Sequence, residues 1–147
     1  MDQRVSLITL GVRDTERSAR FYEDLGWRRV ETPDGVVAFD LIGQTLGLYS
    51  LDALADEIGL PVDDLGHGAM TLAHNVSEKS AVDALIAAAD RAGATILKRP
   101  SDVFWGGYHG YFADPDGHIW EIAHNPFSPL SPDGAFRWNG FEVTTNS

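Results

Sequence analysis

The sequence predicts an α+β protein in which one pattern, a strand, a helix and three further strands (βαβββ), occurs twice. Three observations carry that expectation. Two segments have mostly apolar residues at helical spacing and end on a glycine: Ser18, Phe21, Tyr22 and Leu25 before Gly26, and Val82, Leu85, Ile86 and Ala89 before Gly93. Each is preceded by a short alternating stretch of strand character, Val5–Val12 and Ala69–Val76. Finally, Asp114-Pro115-Asp116-Gly117 is strong turn chemistry set between two alternating runs. Proline presets the φ of the second turn position, and glycine tolerates the positive φ that follows.

Taken in order, Val5–Val12 alternates, with Ile8, Leu10 and Val12 on one face and Leu7, Thr9 and Gly11 on the other. Asp14 is a good N-cap for the first helix, and Gly26 sits where a left-handed residue ends one. Strands are expected at Trp27–Glu31, Val36–Leu41 and Thr45–Ser50, separated by Thr32-Pro33-Asp34-Gly35 and by Gly43. A short helix over Leu51–Gly59 and a polar connection over Leu60–Gly68 follow. In the second half, Ser77 or Ser80 is expected to cap the helix that Gly93 ends. Thr95–Lys98 reads as a strand, Arg99–Gly107 as a loop, and the chain then forms two strands around the Asp114–Gly117 turn. The expected organisation is one domain over 1–147. It has two modules, about 4–50 and 68–124, a linker at 51–67 and an aromatic-rich tail at 125–147. That tail, with Phe127, Phe136, Trp138 and Phe141, is too apolar for plain disorder and is expected to pack back on the domain, over a cleft or on a second subunit.

Composition narrows the function classes. Apolar residues make up 44% of the chain, as in ordinary globular proteins. No run of about 18 apolar residues offers a membrane span. The first residues, Met1 to Ser6, lack a charged-then-apolar leader pattern. The absence of cysteine removes disulfides, thiolate nucleophiles and thiolate metal sites from consideration, and with the missing leader suggests the cytoplasm. A net charge of −11 argues against nucleic acid and anionic membranes as partners and would favour a cationic small molecule.

The run Thr9-Leu10-Gly11-Val12-Arg13-Asp14, the segment Glu16 to Trp27, and Phe112-Ala113-Asp114-Pro115-Asp116-Gly117 leading into Glu121 resemble the vicinal-oxygen-chelate superfamily, which comprises glyoxalases, bleomycin-resistance proteins and extradiol dioxygenases. The resemblance spans Val5 to about Ala123. It implies two βαβββ modules whose strands form a half-open curled sheet around a central cleft. It also implies, in the enzymes, one divalent metal held by two ligands from each module, usually His and Glu. The position four residues after the turn glycine falls on Glu121 and matches. The other three fall on Leu7, Gly47 and Thr71 and do not. A catalytic metal needs about three protein ligands, so no cofactor is expected. A pair made of His109 and Glu121 would be short of that number. His74, His118 and His124 are expected off the Glu121 face, and His67 lies in the connection.

With that resemblance, the expected cleft has an apolar floor of small residues and an aromatic rim. Its candidate ligand-binding residues are Thr9, Tyr49, Thr71, Trp105, Tyr108, His109, Tyr111 and Glu121. Alternation allows only one of Tyr111 and Phe112 to point in. The reading drawn from this is a metal-free small-molecule-binding protein of bleomycin-resistance type. An aromatic ligand would stack on Trp105 or Tyr108, and a cationic group would pair with Glu121. The alternative is a glyoxalase-type lyase or isomerase with Glu121 as the catalytic base, and last a dioxygenase. A divalent metal enters only with those alternatives. A purely structural Glu121, hydrogen-bonded to Thr9 or Tyr49, also stays open. The family resemblance further implies a homodimer.

Overall fold

The computed structural model describes residues 1–33, 35–66 and 68–141; Asp34, His67 and the tail residues 142–147 lie outside the described residues. The chain forms two compact units. The first comprises Met1–Met70 together with the turn Asp114–His118; the second comprises Thr71–Ala113 and the residues from Ile119 on. Their secondary structure is α+β, with two open mixed sheets of three and four strands. No helix among the described residues is long and apolar enough to cross a membrane.

In the first unit, β1 (Leu7–Val12) leads into α1 (Thr15–Asp24), followed by β2 (Val36–Asp40) and β3 (Thr45–Ser50) in the sheet order β1-β3-β2. Asp14 caps α1 as expected, its side chain accepting from the Arg17 N–H. Gly26 follows the helix with φ at 106°. One face of the sheet carries Leu10, Leu46, Leu48, Val37 and Phe39, all buried, and α1 contributes the buried Ala19, Phe21 and Tyr22. Short α2 (Leu51–Ile58) is capped by Ser50 and ended by Gly59, and one turn of 3₁₀ helix at Val62–Asp64 occupies the connection.

The expected strand at Trp27–Glu31 does not form. Only Val30 bridges to Ala38. The reason lies in the charges of the segment: Arg29 reaches back to α1, 2.7 Å from Glu23 and 3.1 Å from Glu16. Trp27 is also tied to the helix end, its N–H donating to the Tyr22 carbonyl at 3.1 Å and its ring stacked on Tyr22 at 5.2 Å. The segment therefore follows the helix, not the sheet edge.

The second unit holds β4 (Thr71–Asn75), α3 (Lys79–Ala92), β5 (Thr95–Asp102), β6 (Tyr108–Ala113) and β7 (Ile119–His124), with sheet order β4-β7-β6-β5. Helix α3 buries Val82, Ile86 and Ala89 against the β5–β6–β7 sheet, whose facing residues include the buried Phe112, Trp120 and Ile122. Two expectations are corrected here. Neither Ser77 nor Ser80 caps α3; Glu78 occupies the N-cap without a capping side-chain bond, and Ser80 donates to the Glu78 carboxylate instead. And the residues expected as a loop after Lys98 continue β5 to Asp102. Pro100 is tolerated because β5 is an edge strand with register shifts on both sides of Lys98.

Candidate functional site

Register, more than composition, places the candidate residues. Across β4, β7 and β6 the partners Ala73, Glu121 and Tyr111 form one row, with Thr71, Ile119 and Ala113 in the next row on one side and Asn75, Ala123 and His109 on the other. Side chains of one row share a face. Neighbouring residues Trp120 and Phe112 point the other way, onto the face that α3 covers, and His74 shares that opposite face. The Glu121 face therefore carries small residues at Ala73 and Ala123 and three polar groups that meet at one point.

That point is the Glu121 carboxylate. Its Oε2 accepts from the Tyr111 hydroxyl at 2.5 Å and lies 3.0 Å from His109 Nδ1. The His109 and Tyr111 rings meet edge to face at 5.1 Å, which fixes the imidazole plane. Glu121 is 26% and His109 16% exposed, so the pair is sheltered without being sealed. A carboxylate offers only acceptors, so Nδ1 must carry the proton in this contact. In neutral His109 that leaves Nε2 as a bare acceptor. Among the described residues neither Nε2 nor Glu121 Oε1 takes a partner.

The Tyr111 phenol is pushed up to about 12, first by its hydrogen bond to Glu121, then by burial and by the carboxylate charge. Tyr111 thus stays a donor at neutral pH. Because its folded value lies above the ordinary 10.0, the stability it contributes is fully present below pH 10 and is lost as pH rises to about 12. An ultraviolet tyrosinate titration checks this: Tyr111→Phe is expected to remove one group titrating near 12, and Glu121→Gln to draw that group back toward 10.

The other sequence-derived candidates are distributed differently. Thr71 lies on the Glu121 face, exposed, one row from Glu121. Tyr108 lies on the opposite face of β6, where its hydroxyl donates to Asp83 of α3 at 2.5 Å and its ring sits under the Lys79 ammonium. Trp105 rides on the tight Val103–Gly107 loop with its ring folded over Gly107, so that a Cβ there would displace the ring. Thr9 and Tyr49 belong to the first unit. Thr9 is exposed on β1, and Tyr49 is the last residue but one of β3, where the Glu57 charge raises its phenol. Within its own unit, Glu121 is bonded by Tyr111 and His109. Half-buried Asn75 was missed; continuing the alternation from Thr71 and Ala73 by one more step would have found it.

Two of the other histidines meet backbone carbonyls. His118 Nε2 sits 2.9 Å from the Gly11 carbonyl and His124 Nδ1 3.2 Å from the Val76 carbonyl. His74 faces away from Glu121, and His67 is not described.

The donor set does not fit a divalent ion. Leu7 and Gly47 bring no ligating side chain, and Thr71 brings only a hydroxyl. Among the described residues no group of three or more His, Asp or Glu could hold an ion. His109 and Glu121 supply two ligands at most, and Tyr111, protonated and donating to the carboxylate, is not a phenolate ligand.

Comparisons with known proteins agree with this fold. A sequence profile of the Glyoxalase/Bleomycin resistance protein/Dioxygenase superfamily matches residues 4–122. The chain is similar to the crystal structure of a glyoxalase-related enzyme from Fulvimarina pelagi, with a TM-score of 0.86 and 38% identity over 94% of this chain and 99% of that one. It is also similar to a glyoxalase/bleomycin resistance protein/dioxygenase family enzyme from Burkholderia phytofirmans PsJN, with a TM-score of 0.73 and 24% identity over 82% and 98% of the two chains. For a lactoylglutathione lyase from Agrobacterium tumefaciens the TM-score is 0.65 at 20% identity, over 85% and 96%. The last two likenesses show the fold alone. No curated protein matches. The chain belongs to the glyoxalase/bleomycin resistance protein/dioxygenase superfamily.

Proposed function

We propose that the protein binds a small molecule on the Glu121 face of the second unit without the help of a metal, in the manner of a bleomycin-resistance protein. One observation carries this reading: Tyr111 and His109 both spend their donors on Glu121 Oε2, leaving Oε1 and His109 Nε2 as acceptors. Two acceptors side by side, a carboxylate oxygen and an imidazole nitrogen, favour a ligand that donates, because an unpaired sheltered acceptor is costly. A planar cationic aromatic meets that demand. It brings two or more N–H groups, its charge pairs with Glu121, and its ring lies against the small side chains of Ala73 and Ala123. The net charge of −11 adds a favourable long-range field.

Benzamidine is a suitable probe, with an amidinium on a flat ring. Calorimetric titration is expected to show one site per chain. Glu121→Gln is expected to weaken binding by about 10- to 100-fold, the loss of one charge-assisted hydrogen bond. Equal affinity in the variant, or no heat from benzamidine and a panel of related cations, would remove the reading.

A further inference from the structure

We propose that His109 is a catalytic base: a proton acceptor at Nε2, oriented by Glu121, that acts on the ligand this face holds. The inference rests on the binding reading above and adds an activity to it. Three features support it. Glu121 Oε2 lies 3.0 Å from Nδ1, which holds the proton there and keeps the lone pair on Nε2. The Tyr111 hydroxyl donates to that same oxygen, so the carboxylate is itself held in place. And the edge-to-face contact with Tyr111, at 5.1 Å and 67°, stops the imidazole from turning. A base whose far nitrogen is bonded to a fixed carboxylate is the arrangement that proton-transfer sites use. Here it stands on two adjacent strands of one sheet, not on loops.

The remaining groups are consistent with this division of roles. Glu121 positions the imidazole through Oε2, which takes both donors, and meets the ligand's cationic group through Oε1. Tyr111 acts on Glu121 and not on the ligand. With Nε2 in no contact with the described residues, His109 is the group left to meet a substrate proton. The substrate class is a small planar molecule with an acidic C–H beside an electron-withdrawing group. Its proton passes to Nε2, and the bonding pair stays on the substrate carbon. Return of the proton to a neighbouring atom completes an isomerisation; departure of a leaving group with its electron pair completes an elimination. Neither outcome needs an oxidant, a reductant or a metal.

The test uses 5-nitrobenzisoxazole, a flat aromatic that reports on any positioned base. Nε2 removes the proton from the carbon next to nitrogen, the freed pair closes a nitrile, the nitrogen–oxygen bond breaks, and a coloured phenolate leaves with that bond's electrons. The full chain is expected to accelerate this ring opening about 100-fold over free imidazole at equal concentration. His109→Gln is expected to lose that acceleration while keeping the wild-type thermal midpoint and at least part of its benzamidine binding. Nitrogen-15 spectra of the imidazole give an independent readout. Wild type should show the Nδ1–H tautomer, and Glu121→Gln should shift the population toward Nε2–H, which checks that Glu121 sets the tautomer. Acceleration no greater than free imidazole, an active His109→Gln, or an Nε2–H tautomer in the wild type each overturns the inference. If benzamidine still binds in those cases, the binding reading stands by itself; if benzamidine fails to bind, that reading falls separately.

Discussion

Asp114→Ala is expected to destabilise the protein by about 3–5 kcal/mol, the range for removing one member of a buried, fully bonded charged group. Asp114 is only 3% exposed. One of its oxygens accepts from the backbone N–H groups of Asp116 and His118, both at 2.9 Å, and the other from the Tyr22 hydroxyl at 2.6 Å. Truncation removes the acceptor of two turn N–H groups and of the Tyr22 hydroxyl inside the first unit. Other ties of the same turn do not replace them: Asp116 accepts from the Arg13 N–H at 2.9 Å and pairs with Arg17 at 3.2 Å, and His118 meets the Gly11 carbonyl. Asp114→Asn should cost far less, since an amide oxygen still accepts from both N–H groups and the amide nitrogen can donate to the tyrosine oxygen. Chemical denaturation of the two variants separates them. Similar midpoints for Ala and Asn would mean that the bonds to Asp114 contribute little.

The second large effect is expected at Gly110. A Cβ there would lie 3.0 Å from the Lys98 carbonyl oxygen and 3.1 Å from the Pro100 nitrogen. Both are backbone atoms of the irregular edge strand, so neither can rotate away. Gly110→Val puts two effects in opposition. A β-branched residue gains up to about 1 kcal/mol from strand preference. Forcing β5 and β6 apart costs about 3 kcal/mol, at the upper end for overpacking. The clash wins, and a net loss of about 2 kcal/mol is expected. The consequence reaches the site, because His109 and Tyr111 flank Gly110 and their positions set the bonds to Glu121. Gly110→Val should therefore weaken benzamidine binding as well as lower the thermal midpoint. A variant as stable as wild type would show that β5 yields easily.

Much of the fold was legible in the sequence because its punctuation is local. Asp14, Gly26, Gly93 and the Asp114–Gly117 turn each act through their own backbone bonds, and each does in the structure what its residue type suggests. The misses are tertiary. Nothing in Trp27–Glu31 itself reveals that Arg29 will be drawn to Glu16 and Glu23 on the preceding helix and keep the segment off the sheet. The extension of β5 through Pro100 depends on β5 being an edge, which only the assembled sheet decides.

The site was half legible. Alternation picked Glu121 but left Tyr111 and Phe112 open, and treated His109 as a metal ligand short of companions. Counting outward from the turn would have resolved both. Ala113 pairs with Ile119, so Tyr111 must face Glu121 and His109 must fall one row further along the same face. What the sequence could not show is that Tyr111 and His109 would share a single carboxylate oxygen, because that depends on rotamers.

In the proposed function, the Glu121 face holds its ligand with side chains alone. The most direct test of that claim is the benzamidine titration repeated on protein dialysed against a chelator. The expected result is an unchanged affinity that Glu121→Gln still weakens at least about tenfold. Binding that vanishes after chelation and returns only on adding a divalent ion would contradict the claim.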